Sequence, residues 1–169
     1  MGYTTDFSGK INIQPPLNDA EIEFLTKFSN TRRMDRANGP YYVDGHGFGG
    51  QDHEKDIRDY NRPPDGQPSL WCQWVPVKDD DGNTVIEWDG GEKFYSSPEW
   101  MKYIIDHFLK PGAFAKDQLP FLQANHICNG MIDAQGEDAE DRWRLHVRDN
   151  VVTTQDGYVS FVGTVEHDV

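Results

Sequence analysis

The chain has 169 residues and a formal net charge of -13, with 29 acidic and 16 basic side chains. This length suits a single domain, 1–169, and five Trp, seven Tyr and nine Phe can fill its core although only 36% of the residues are hydrophobic. Because the charge repels phosphate and no run of Lys or Arg offsets it, direct binding to nucleic acid is not expected.

The first predicted elements are a strand and a helix. Residues 5–13 alternate between apolar and polar side chains, which indicates a half-buried strand. Asn18 and Glu21 then have the spacing of a capping box, which predicts the start of a helix that runs to about residue 29.

A second strand and helix pattern begins near residue 70. The runs 70–77 and 84–88 surround Asp81-Gly82, a turn signal that predicts a β-hairpin. Ser96 and Glu99 repeat the capping-box spacing and predict a helix that ends before Pro111-Gly112.

Three strand-like runs complete the chain: 131–135, 142–148, and 151–154 continuing past Asp156-Gly157 into 158–165. Hairpins and two helices without a repeated β-α-β rhythm predict an α+β fold. We expect a single antiparallel or mixed sheet of about 5–7 strands with the two main helices packed on one face. A ferredoxin-like arrangement is one form of this class.

A long polar, Gly-rich loop separates these halves at about 29–69. Loops of this length are either functional or partly disordered. Within it we expect a short strand at 41–43 and a helical turn near 52–60. The spacing of Gly45, Gly47 and Gly50 matches G-x-G-x-x-G, but no parallel strand-helix unit surrounds it, so a flexible glycine loop is the simpler interpretation.

The residues around the hairpin predict a ligand site. Alternation places Trp71 and Gln73 on one face of the strand and Trp74 on the other, in the core. The face with Trp71 is covered only if the long loop folds over it, which would bring Tyr41, His46 and Phe48 nearby. We therefore predict ligand-binding roles for these loop residues together with Trp71 and Gln73.

A second candidate is a row of basic side chains. Arg142, Arg144 and Arg148 share one face of a predicted strand, and Arg forks match phosphate and carboxylate groups. We include these arginines in the predicted ligand site, for an anionic ligand. The alternative is a solvated face balanced by the acids of 137–141.

No catalytic or metal-binding motif stands out, and we expect no cofactor and no metal. His46, His53 and His126 could serve a small hydrolase or transferase only if the fold brings them to a carboxylate. Cys72 and Cys128 are too few for a disulfide framework, and residues 1–10 contain no apolar signal segment. We therefore expect a cytoplasmic protein that does not bind membranes; the oligomeric state is left open.

Several longer runs resemble a known family. The runs "MGYTTDFSGKINIQPPLN", "DYNRPPDGQPSLWCQWVP", "IEWDGGEKFY" and "NGMIDAQGEDAEDRW" are similar to short proteins of actinobacteria and their phages, grouped as a domain of unknown function. The resemblance covers nearly the whole chain and implies a phage-associated accessory protein that acts on a host component, for example as an antagonist of host defence. It brings no catalytic residue.

Together these features favour a non-enzymatic binding module for a host protein or a small anionic, nucleotide-type ligand. Two alternatives stay open. One is the small hydrolase or transferase that uses histidine and carboxylate side chains. The other is an acidic mimic of nucleic acid that occupies a basic groove on another protein.

Overall fold

The computed structural model describes residues 2–168, which form eight strands and two helices. Short 3-10 and π-helical turns, Phe48–Gly50 and Ile105–Leu109, complete the elements. In chain order the strands and helices are β1 (Asp6–Gln14), α1 (Asp19–Ser29), β2 (Asp35–Arg36), β3 (Ile57–Asp59), β4 (Trp74–Lys78), β5 (Thr84–Trp88), α2 (Ser97–Ile104), β6 (Ile127–Gln135), β7 (Arg142–Arg148) and β8 (Val151–Asp156).

Six strands form one antiparallel sheet in the order β4-β5-β1-β6-β7-β8, and β2 pairs with β3 in a separate small sheet. The strands β1, β4, β5 and β6, with α1 and α2 as crossovers, follow a β-α-β-β-α-β order in which the hairpin β4-β5 and the strand β6 flank β1. This is the ferredoxin-like arrangement, extended on the β6 side by the hairpin β7-β8. The prediction of an α+β fold with a sheet of about 5–7 strands is confirmed.

The core lies between one face of the sheet and the two helices. Alternate residues of β1 are buried, because the pleat sends them to the helix side while their neighbours face solvent. Phe7 of β1 lies at the centre of an aromatic group, with ring centroids 5.2–5.9 Å from those of four other rings, namely Trp74, Trp88, Phe94 and Trp143. On the opposite face the alternate side chains of β1, Ser8, Lys10 and Asn12, are exposed to solvent.

The two helices begin differently. Asn18 caps α1 as predicted: its side chain accepts a hydrogen bond from the Glu21 N–H, and the Glu21 carboxylate accepts one from the Asn18 N–H. The second predicted capping box is wrong, because Ser96 has a left-handed backbone with φ of 59° and makes no side-chain cap. Helix α2 instead starts with Pro98 in its first turn, where the missing N–H costs nothing.

The region 29–69 is folded rather than open. The small sheet β2-β3 replaces the helical turn predicted near 52–60, and the predicted strand at 41–43 is a turn followed by irregular chain. Buried Arg33 and Arg36 hold the region together, since each donates a side-chain hydrogen bond to a backbone carbonyl, those of Tyr42 and Gly50 respectively.

Beyond β8 the structure corrects the prediction of a strand at 158–165. The strand β8 ends at Asp156, and residues 157–168 have no regular secondary structure and are exposed. The alternation of apolar residues is present in the sequence, but no neighbouring strand pairs with this segment in the described chain.

Candidate functional site

A cleft of about 560 Å³ opens between the end of α1, the glycine loop 45–50 and the chain that leads into β4. Its volume lies in the range of small-molecule sites, roughly 300–1,000 Å³. The lining comes from four parts of the chain, namely residues 27–31, 43–50, 71–73 and 89–91. The sequence predicted a ligand site on the face of Trp71, opposite Trp74. In the structure Trp74 is buried in the core, and Trp71 lines the cleft beneath the loop.

Two aromatic rings form one wall of the cleft. The ring centroids of Trp71 and Phe48 lie 6.5 Å apart with the planes tilted by 46°. Phe48 is 86% exposed at the tip of the loop, whereas Trp71 is half-buried. A large, solvated aromatic group at the mouth of a cleft offers a stacking surface for a flat ligand.

Glycine is required where the loop crosses Trp71. A Cβ atom on Gly49 would lie 2.8 Å from the Trp71 ring, and Gly49 has φ of 62°, which side chains rarely adopt. The backbone of the loop therefore passes close to the Cη2 edge of the indole. The loop carbonyl of Gly49 also accepts a hydrogen bond from the Arg32 N–H, 2.9 Å, which ties the loop to the chain after α1.

A buried ion-pair network holds the glycine loop 45–50 in place. The Arg36 side chain is fully buried and pairs with Glu54 at 3.1 Å and Asp56 at 3.0 Å. Hydrogen bonds from the backbone and side chain of His46 and from Arg36 lower the pKa of Glu54 to about 2. The lowered pKa keeps the Glu54 carboxylate ionised at neutral pH, so its contacts with Arg36 and His46 hold the loop in place.

The polar groups in the cleft differ in what they can offer a ligand. The amide of Gln73 is already committed, because it accepts from Trp88 Nε1 at 3.2 Å and donates to the Glu92 carbonyl at 2.9 Å. Asp89 accepts one hydrogen bond, 2.7 Å, from the Gly91 N–H. Desolvation raises the pKa of Asp89, and no cation contributes to this shift. Its carboxylate is therefore an acceptor that a ligand in the cleft can use.

One cation also lines the cleft. Lys27 lies 3.2 Å from Glu23 and 3.5 Å from Asp44, and all three side chains are largely exposed. Such surface pairs contribute little, about 1 kcal/mol or less, so Lys27 can exchange these partners for a ligand.

The predicted site residues are divided between separate places. Trp71, Gln73 and Phe48 line the cleft. Tyr41 lies outside it, where its hydroxyl group is 2.7 Å from His107 Nδ1. His46 belongs to the same loop, but its side chain is 82% exposed and bonds to Glu54.

The arginine row lies elsewhere. Arg142 and Arg144 line a second groove of about 540 Å³ that shares no residue with the cleft. Asp6, Asp133 and Asp156 line this groove as well, and Arg144 Nε donates to Asp133 at 2.7 Å. Arg148 is at the far end of β7 and does not line the groove. The arginines therefore cannot assist a ligand in the cleft, and their groove has no net positive charge.

The fold brings two of the candidate histidines to a carboxylate, His46 to Glu54 and His126 to Glu21, but the two pairs lie in separate environments and neither histidine lines the cleft. His126 is fully buried and lies 2.9 Å from Glu21, whereas His53 stacks on Tyr60 with centroids 6.1 Å apart. Burial raises the pKa of Cys72 and of Cys128 to about 12, which keeps both free thiols protonated.

Within 2–168 there is no group of three or more His, Cys, Asp or Glu side chains that could hold a metal ion. No helix in that range is both long and apolar enough to span a membrane.

Sequence reasoning missed Asp89, Lys27 and the supporting Arg36. Asp89 could have been noticed as the acid that directly follows β5 on the face of Gln73, since the hairpin β4-β5 was predicted. No local signal marks Arg36 as buried.

Comparisons of this chain with family models, with curated proteins and with solved structures found no match.

Proposed function

We propose that the protein is a non-enzymatic binding module whose cleft takes a small ligand with a planar, nucleotide-type ring. The observation that carries this proposal is the Trp71 ring, which lines the cleft beside the exposed Phe48, beneath the glycine loop 45–50. Stacking of a base on an aromatic side chain contributes roughly 1–3 kcal/mol and does not require a charged partner.

Asp89 supports a preference among such rings. An ionised carboxylate accepts hydrogen bonds only, so it favours a ring edge with adjacent N–H donors, as guanine has. Because desolvation raises the pKa of Asp89, binding through this carboxylate falls off at a higher pH than an ordinary aspartate would give. Lys27, at the mouth of the same cleft, supplies a cation for a phosphate group.

The proposal also includes the cellular compartment and the role of the protein. Two free cysteines agree with a reducing compartment, and we place the protein in the cytoplasm. The resemblance to phage-borne proteins supports an accessory role in which the ligand, or a host protein that carries such a group, is the target.

The test is a calorimetric titration with guanosine, adenosine and uridine monophosphates. Phe48→Ala removes the exposed ring of the cleft, and Phe114→Ala removes a ring that is 61% exposed outside it. We expect F48A to weaken binding about five- to hundredfold, which corresponds to the loss of one stacking contact, and F114A to leave it unchanged. Asp89→Asn should abolish the preference for guanosine monophosphate.

Two results would overturn the proposal. One is that none of the three nucleotides binds. The other is that F48A and F114A weaken binding equally, since the cleft would then have no special part in it.

A further inference from the structure

The outer edge of β8 is an unpaired strand edge. The sheet ends at β8, and the Gly157 N–H donates to the Arg142 carbonyl at 2.8 Å. Bonded pairs alternate along an antiparallel ladder, so odd-numbered residues of β8 point their N–H and C=O groups at β7. The even-numbered residues, Val152, Thr154 and Asp156, therefore point theirs outward to the free edge.

This edge lacks the features that keep sheet edges apart. Natural edge strands carry charged residues, proline or bulges that prevent pairing with another chain. Residues 151–155 read "VVTTQ", with no charge and no proline, and their register with β7 is regular. Apart from Asp156 at its end, β8 therefore has no charge on this edge, and within residues 2–168 no strand pairs with its outward N–H and C=O groups.

The same chain carries a segment with the composition of a strand and no partner. Within 157–168 the large apolar side chains are strongly exposed: Tyr158 is 84%, Phe161 92%, Val162 92% and Val165 79% exposed. The run "YVSFVGTV" is rich in β-branched and aromatic residues, which favour strands. Exposed apolar groups in such number mark an interaction surface.

Within the described residues 2–168, the segment does not pair with the free edge of β8. The bond from Gly157 to Arg142 continues the ladder in line with β8, and Arg142 is where β7 begins. Beyond this bond the described chain is irregular and includes Gly163 with φ of 63°, so the segment is not extended along its own β8 in the structure.

In a dimer with a two-fold axis, the unpaired edge of β8 and the unpaired segment 157–165 can pair with each other across the two copies. We propose that the segment 157–165 of one copy pairs antiparallel with the outer edge of β8 in a second copy, and that the second copy does the same in return. Residues 151–165 contain one charged side chain, Asp156, so two chains of net charge -13 can approach here with little local repulsion. This association is independent of the ligand cleft, which shares no residue with it.

Because N–H groups alternate in direction along a strand, one proline variant can remove a bond to the partner copy and a second can serve as its control. In the extended segment the even-numbered residues point their N–H groups at the partner copy, as they do in β8. Val162→Pro removes an N–H that the partner needs, whereas Val159→Pro removes one on the opposite side, where proline is tolerated. Both residues lie in the exposed segment, so neither variant should change the fold.

The experiment is sedimentation velocity of the full chain over a hundredfold range of concentration, with circular dichroism to confirm folding. We expect a concentration-dependent dimer for the wild type and V159P. V162P should weaken association about thirtyfold, because the two-fold axis removes one hydrogen bond in each copy.

Three results would overturn the inference: a wild type that stays monomeric throughout, a dimer that V162P leaves intact, and equal losses in V162P and V159P. In the dimer, hydrogen exchange at the outward amides of Val152 and Thr154 should also slow as the concentration rises.

Discussion

Replacing Glu21 by Gln should destabilise the protein far more than the same change at Glu23, two positions away on α1. Glu21 and His126 are both fully buried and lie 2.9 Å apart. The Glu21 carboxylate also accepts from the N–H groups of Asn18 and Gln123, and His126 Nδ1 lies 2.7 Å from the Pro15 carbonyl. The Pro15 carbonyl and the ionised Glu21 carboxylate are both acceptors, so this geometry favours the doubly protonated, charged imidazole.

The expected cost follows from this geometry. Removing one partner of a buried ion pair costs about 3–5 kcal/mol, whereas an exposed pair contributes about 1 kcal/mol or less. The Glu23 carboxylate, 69% exposed, pairs only with Lys27 on the surface. Urea denaturation at pH 6, followed by tryptophan fluorescence, should therefore show a loss of about 3–5 kcal/mol in E21Q and about 1 kcal/mol or less in E23Q.

The pair also predicts how stability depends on pH. Desolvation opposes charging of both groups, but their mutual hydrogen bonds and those from the backbone outweigh it, so the pKa of His126 is raised and that of Glu21 is lowered. The stabilisation by His126 is complete below its unfolded pKa and is lost as the pH rises through the raised folded value. The stabilisation by Glu21 is lost as the pH falls through its lowered folded value.

The difference in unfolding free energy between wild type and E21Q isolates this effect, because other titrating groups cancel. It should shrink as the pH rises above 6.5, the ordinary pKa of histidine. A difference that stays constant from pH 6 to pH 9, or equal losses in E21Q and E23Q, would refute the assignment of a charged pair.

Two further predictions concern the loop and the thiols. Gly49→Ala should cost more than Gly66→Ala in chemical denaturation, because both glycines have positive φ but only the Cβ at position 49 would meet Trp71; the backbone strain alone is about 1 kcal/mol. Equal costs would show that the loop does not rest on the indole. Cys72 and Cys128, whose pKa burial raises to about 12, should react with iodoacetamide only after unfolding; labelling of the native protein, detected by mass spectrometry, would contradict this.

Much of the fold could be predicted because it rests on local patterns. The alternation in β1, the Asp81-Gly82 turn and the capping box at Asn18 each act within a few residues, and each is present in the structure. A ferredoxin-like order is among the few that hairpins and helical crossovers allow, but the local patterns do not select it over the other orders.

The predictions that were wrong concern features that depend on tertiary contacts. The small sheet β2-β3 pairs residues more than twenty positions apart, and no local pattern marks them. The spacing of Ser96 and Glu99 is that of a capping box, but Ser96 adopts a left-handed conformation that turns its side chain away from that role. The run 158–165 has a strand pattern and stays unpaired, since strand formation requires a neighbour as well as a composition.

The candidate site likewise has features that local patterns predict and features that depend on tertiary contacts. The positions of Trp71 and Gln73 could be predicted, because alternation along a strand reports which face a side chain occupies. The separation of the arginine row from the cleft could not, because it depends on how the sheet is ordered around β1.

The most direct test of the proposed cleft is native mass spectrometry of the protein purified from cells that make it naturally. We predict a noncovalent adduct with the mass of a nucleotide-type ligand in the wild type and in F114A, and its loss in F48A. Wild-type protein without an adduct, together with no thermal shift in the presence of nucleotides, would contradict the account, as would an adduct that F48A retains.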